Sequence, residues 1–76
     1  MERYQKILQF ENGYGLSIIS HQFSYGGKDG LFEAALLDDQ GMIMYDPERN
    51  WADVRGWLDF SDVVELIELV KGYSPK

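Results

Sequence analysis

The stretch Leu8-Gln9-Phe10-Glu11-Asn12-Gly13-Tyr14-Gly15-Leu16-Ser17-Ile18-Ile19 decides the fold. Asn12-Gly13 stands between two runs in which apolar residues recur at alternate positions. Asn-Gly in that setting is the strongest short hairpin signal, because both central residues of a type I′ turn need positive φ. The pattern predicts a first strand over about residues 3–11 and a second over about 14–25.

Turn signals continue at short intervals. Gly26-Gly27-Lys28-Asp29-Gly30 predicts a longer turn, followed by a third strand over 31–38. Asp39-Gln40-Gly41 predicts another turn, and 42–45 a short fourth strand. Asp46-Pro47 is expected to end the sheet, since proline removes a ladder donor and biases its predecessor to extended geometry. Residues 46–58 read as a loop, because Gly56 would weaken a helix there by about 1 kcal/mol. Trp51, Val54, Trp57 and Leu58 are expected to pack inward from it.

The last element is a helix over about 60–71. Asp59 is a good N-cap, and Asp62 sits near the positive end of the helix dipole. Phe60, Val63, Val64, Ile67 and Val70 fall on one stripe at helical spacing, widened by Leu66 and Leu69. Gly72 and Pro75 stop it. Residues 1–76 therefore read as one α+β domain, a four-stranded antiparallel β-meander with one C-terminal helix packed on one face.

Strand side chains alternate faces. Leu16 and Ile18 share one face of the second strand, and Ile19, Phe23 and Tyr25 share the other with Ser17 and His21. The third strand is apolar on both faces, with Leu31, Ala35 and Leu37 opposite Phe32, Ala34 and Leu36. One helix covers one face only. The second face is expected to present apolar side chains to water, and a contiguous patch of that kind marks an interface.

A chain of 76 residues has a thin core. It holds no cysteine and a single histidine, so disulfides and thiolate zinc sites are excluded. Five Tyr, four Phe and two Trp are the remaining material for a core or an interface. The net charge of −6 argues against the basic footprint of a nucleic-acid binder. It fits solubility, or a basic partner. No segment reads as a signal peptide or a span of roughly 18 apolar residues, so the expected location is the cytoplasm. No cofactor or metal is expected.

Chemistry has few candidates. His21 is the chain's single histidine, the residue type most used for general acid–base work, and Ser17, Ser20 and Ser24 lie near it. A nucleophile also needs an oriented base and an oxyanion site, which this spacing does not supply. Residues 24–30 place glycine amides beside Lys28, but G-x-x-x-x-G-K-[ST] is missing and no helix follows. Asp38-Asp39 and the Asp59/Asp62 pair lack calcium-loop spacing. The expectation is a non-enzyme. Its candidate partner-binding residues are His21, Phe23, Tyr25, Gly26, Gly27 and Lys28 at the loop end, with Trp51 and Trp57 in the loop 46–58.

The order Glu11-Asn12-Gly13-Tyr14-Gly15-Leu16-Ser17, His21, Ser24-Tyr25-Gly26-Gly27, Gly30-Leu31-Phe32-Glu33 and Tyr45-Asp46 resembles small uncharacterised proteins of bacteriophages and prophages. Their pattern reads E-N-G-Y-G-x-S, S-Y-G-G, G-L-x-E and Y-D. The resemblance covers most of the chain, apart from residues 47–58, and implies origin rather than activity. The leading expectation is a phage-type accessory protein that binds a host factor or itself, with a homodimer favoured over a monomer. The alternatives are a nucleic-acid-associated module using the 24–30 loop end, and a minor hydrolase built on His21 and serine.

Overall fold

The computed structural model describes residues 4–21 and 29–75. Strand β1 (Tyr4–Gln9) pairs antiparallel with β2 (Gly15–Ser20), and β2 with β3 (Phe32–Leu37). A fourth strand, β4 (Arg55–Leu58), pairs antiparallel with β3. The sheet order β1-β2-β3-β4 is that of a meander, and helix α1 (Phe60–Lys71) packs on β2, β3 and β4. The fold is α+β, as expected.

The β1–β2 connection differs in kind from the expected type I′ turn. Phe10 N–H donates to Tyr14 O at 2.8 Å, and Gly13 N–H donates to Phe10 O at 3.1 Å. Only Gly13 has positive φ, at 89°; Asn12 does not. This is a three-residue loop closed by a glycine bulge. A loop of this kind needs positive φ at its glycine alone, and the Asn12 side chain serves elsewhere. Its Oδ1 accepts from Tyr14 N–H at 3.1 Å, and its Nδ2 donates to Val70 O at 2.8 Å, Tyr73 O at 3.1 Å and Lys71 O at 3.2 Å. The hairpin turn thus caps the carbonyl end of α1. Gly72 sits at φ −87°, so no left-handed cap is used there.

The fourth strand is β4, and residues 42–45 do not form it. Among the described residues, 42–44 pair with the end of β3 alone: Asp38 N–H donates to Met42 O at 2.8 Å, Met44 N–H donates to Leu36 O at 2.9 Å, and Leu37 bridges Ile43. The chain then turns away. Asp46 and Trp51 exchange both backbone hydrogen bonds, at 2.8 and 2.9 Å, around a 3-10 turn at Pro47–Arg49. Asn50 closes it at φ 70°, a conformation asparagine tolerates. The sheet therefore does not end at Asp46-Pro47. It is interrupted there and resumes as β4 on the other half of the same β3 edge.

The core lies between the sheet and α1. Leu16, Ile18, Ala34 and Leu36 face the helix, which answers with Val63, Leu66 and Val70; Tyr14 and Trp51 close the cluster. Burial of each large aliphatic side chain contributes roughly 1.5–3 kcal/mol. The helix starts directly after β4 and runs back along the sheet. Asp62 N–H donates to Asp59 Oδ1 at 2.8 Å and Asp59 N–H donates to Asp62 Oδ2 at 3.0 Å, a reciprocal capping box.

Gly15 is buried because β1 lies against it. A Cβ at this position would stand 2.5 Å from Leu8 O and 2.8 Å from Gln9 Oε1. The gap lets the Gln9 side chain cross β2 and donate from Nε2 to Asp38 O at 2.9 Å. Gly15→Ala is expected to lower stability by about 1–2 kcal/mol through displacement of β1. Urea unfolding followed by circular dichroism checks this, and an unchanged midpoint would refute it.

Candidate binding surface

The cross-strand register sorts the sheet into two faces. Opposite the helix stand Gln5, Ile7 and Gln9 from β1, Gly15, Ser17 and Ile19 from β2, and Glu33, Ala35 and Leu37 from β3, with Ile43 beside Leu37. Ala35 and Leu37 are buried, and Ile19 is half-buried. Ile7 and Ile43 are 57% and 55% exposed. The second face is thus less apolar than expected, with aliphatic side chains set among Gln and Ser. Glu33 is its single charge among these positions, in a chain with 13 acidic and 7 basic residues. Depletion of charge is the compositional mark of an interface core.

β4 completes this face with a bulge. Phe32 pairs with Leu58 and Ala34 with Arg55, so Gly56 and Trp57 together oppose Glu33. Leu58 packs against the core, and its neighbour Trp57 points the other way. Trp57 is 62% exposed and holds φ at 59°. The left-handed conformation falls on tryptophan although glycine stands next to it. Such a backbone costs a non-glycine residue roughly 1–2 kcal/mol. The expectation that Trp57 packs inward is corrected: the extra residue of the bulge reverses the direction that alternation from Trp51 would give it.

Trp51 is a core residue, 1% exposed, and not a surface anchor. Its Nε1–H donates to Tyr73 Oη at 2.9 Å, and the Arg55 guanidinium lies 4.2 Å from its ring centroid. Arg55 in turn donates to Asn50 O and Arg49 O, both at 3.1 Å, fastening the 46–51 loop. Arg49 stacks 4.4 Å from the Tyr73 ring centroid and 5.4 Å from that of Tyr14, and pairs with Asp46 at 3.5 Å. These contacts with Tyr14, Arg49 and Tyr73 were not signalled by the sequence pattern. The one hint was local: Asp46-Pro47 followed by Asn50 is turn chemistry.

The remaining sequence candidates separate. His21 follows β2 and is half-buried. Ser20 lies on the helix side and donates from Oγ to Leu31 O at 2.9 Å, whereas Ser17 lies on the opposite face. The two serines are therefore not brought together. Phe23, Ser24, Tyr25, Gly26, Gly27 and Lys28 lie outside the described residues. Among the described residues no group of three or more His, Asp or Glu is placed to hold a metal ion, and no helix is long and apolar enough to cross a membrane.

An open cleft lies at the C-terminal end of α1, lined by Phe10, Asn12, Lys71, Tyr73 and Pro75. Its central polar group, the Asn12 amide, is already committed to backbone partners. Ile7 and Ile43 at the other surface are not among the sequence candidates, because alternation sets the face of a side chain and not its exposure. Of the stripe expected on α1, Phe60, Val64 and Leu69 are exposed, and Val63, Leu66 and Val70 alone are fully buried. Compared with protein-family models, curated proteins and solved structures, the chain matches none.

Proposed function

We propose that this chain is a non-catalytic binding protein, an accessory protein of the phage type that its motif order resembles. It engages a protein partner in the bacterial cytoplasm through the sheet face opposite the helix, with Trp57 as anchor. One observation carries the reading: a tryptophan 62% exposed and held at positive φ in a bulge. Backbone strain concentrates where function requires a fixed geometry. Bulges re-aim side chains, and tryptophan is the residue type most enriched at binding hot spots. Ile43, exposed beside Leu37 on the β3 edge that β4 shares, extends the apolar contact. Nothing in the arrangement of His21, Ser17 and Ser20 favours catalysis over binding.

The variant Trp57→Gly separates folding from binding. Glycine adopts the left-handed backbone without strain, while its freedom in the unfolded chain offsets part of the gain. Stability is expected to stay within about 1 kcal/mol of the parent. In pull-downs from host lysate at two salt concentrations, the parent is expected to retain a protein that Trp57→Gly loses. Recovery of the same proteins by both, or of none by either, would overturn the reading.

A further inference from the structure

We infer that the outer edge of β1 is a self-pairing edge. Two copies join antiparallel about a twofold axis through Ile7 and extend the sheet from four strands to eight.

The hydrogen-bond parity of the sheet fixes which groups are offered. Phe10 bonds to Tyr14 across the β1–β2 pair, so by alternation Leu8, Lys6 and Tyr4 also bond inward to β2. The N–H and C=O groups of Gln5, Ile7 and Gln9 then point away from β2. The same parity recurs across β3, where Leu36 O and Asp38 N–H bond outward to Met44 and Met42. Among the described residues β1 is the terminal strand of the sheet. Its outer groups form a template for one more antiparallel strand.

The side chains select a second copy and one register. β1 reads Tyr4-Gln5-Lys6-Ile7-Leu8-Gln9, without an acidic residue in a chain that has 13. Two such edges meet without the repulsion that the net charge of −6 creates elsewhere. An axis through Lys6 would set like charges opposite each other, which is destabilising. An axis through Ile7 places Ile7 against itself, Lys6 against Leu8 of the second copy, and Gln5 against Gln9 of the second copy. Gln9 carries its amide inward across β2 to Asp38 O, so the Gln5–Gln9 pair brings no charge to the seam. Ile7, 57% exposed, is covered by its own image.

This pairing stands apart from the Trp57 surface, and Trp57→Gly leaves it intact. Sedimentation equilibrium in the micromolar range is expected to give twice the 8.8 kDa chain mass. Ile7→Lys sets two ammonium groups at the axis and is expected to give monomer with an unaltered circular dichroism spectrum. In a chain without cysteine, Ile7→Cys offers a direct probe of the register. Hydrogen-bonded antiparallel partners have Cα atoms about 5.5 Å apart, within disulfide reach. Ile7→Cys is expected to crosslink into a covalent dimer on mild oxidation, much faster than Ser61→Cys on the exposed helix start. A parent that sediments as monomer throughout, a dimer that survives in Ile7→Lys, or equal crosslinking of both cysteine variants would each overturn the inference.

Discussion

Trp51→Ala is expected to bring the protein to the edge of unfolding at room temperature. The side chain is 1% exposed and is the largest of the fully buried ones. Its removal costs the transfer free energy of the indole plus the cavity left behind, about 3–5 kcal/mol for a buried aromatic. Domains of this size stand near the low end of the usual 5–15 kcal/mol, so the loss approaches the total, to order of magnitude. The damage also spreads along the chain. Tyr73 Oη loses its donor, Arg55 loses the ring it covers, and Asp46 and Asn50 lose the anchor that folds the 46–51 loop inward. Trp51→Phe keeps much of the volume and loses only the indole N–H, so a smaller cost of about 1–2 kcal/mol is expected. Urea titration with near-ultraviolet circular dichroism reads both variants. A Trp51→Ala midpoint close to that of Trp57→Gly would contradict the opposite roles assigned to the two tryptophans.

The contrast between these tryptophans marks the limit of what local pattern reveals. The helix was legible to its ends because its determinants are local. Asp59 and Asp62 form the cap, and Val63, Leu66 and Val70 recur on one face. The first three strands are legible in the same way, and each is shorter than its apolar pattern. β4 was not, because Arg55–Leu58 is only four residues long with a glycine inside. What makes it a strand is the free half of the β3 edge, left open when the chain leaves β3 after the Met44–Leu36 hydrogen bond. That is a long-range fact. Trp57 is then aimed outward by one extra residue in the pairing, which no periodicity records. The open face was legible as a location, since one helix covers one side. Its character was not. Gln9 reaching across Gly15 depends on a cross-strand neighbour rather than on sequence spacing.

Asn12 gives the sharpest test of how the two halves of the fold are joined. Asparagine before glycine reads as turn chemistry, yet the side-chain amide reaches the end of α1, 58 positions away for Val70. Asn12→Asp keeps the shape and keeps an oxygen for Tyr14 N–H. It removes the N–H donors and sets a carboxylate against the carbonyls of Val70, Lys71 and Tyr73, at the negative end of the helix dipole. Lost hydrogen bonds and repulsion act in the same direction, and the expected cost is roughly 2–4 kcal/mol. Asn12→Ala loses the bonds without adding a charge and is expected to cost less. If Asn12 served only the turn, the order would invert, because aspartate is a good turn residue and alanine a poor one. Thermal melts of the two variants therefore decide between the roles, and hydrogen exchange locates the effect. Under the capping role, the amides of Gly72 and Tyr73, which donate to carbonyls in the last turn of α1, lose protection in Asn12→Asp before those of the β2–β3 pair.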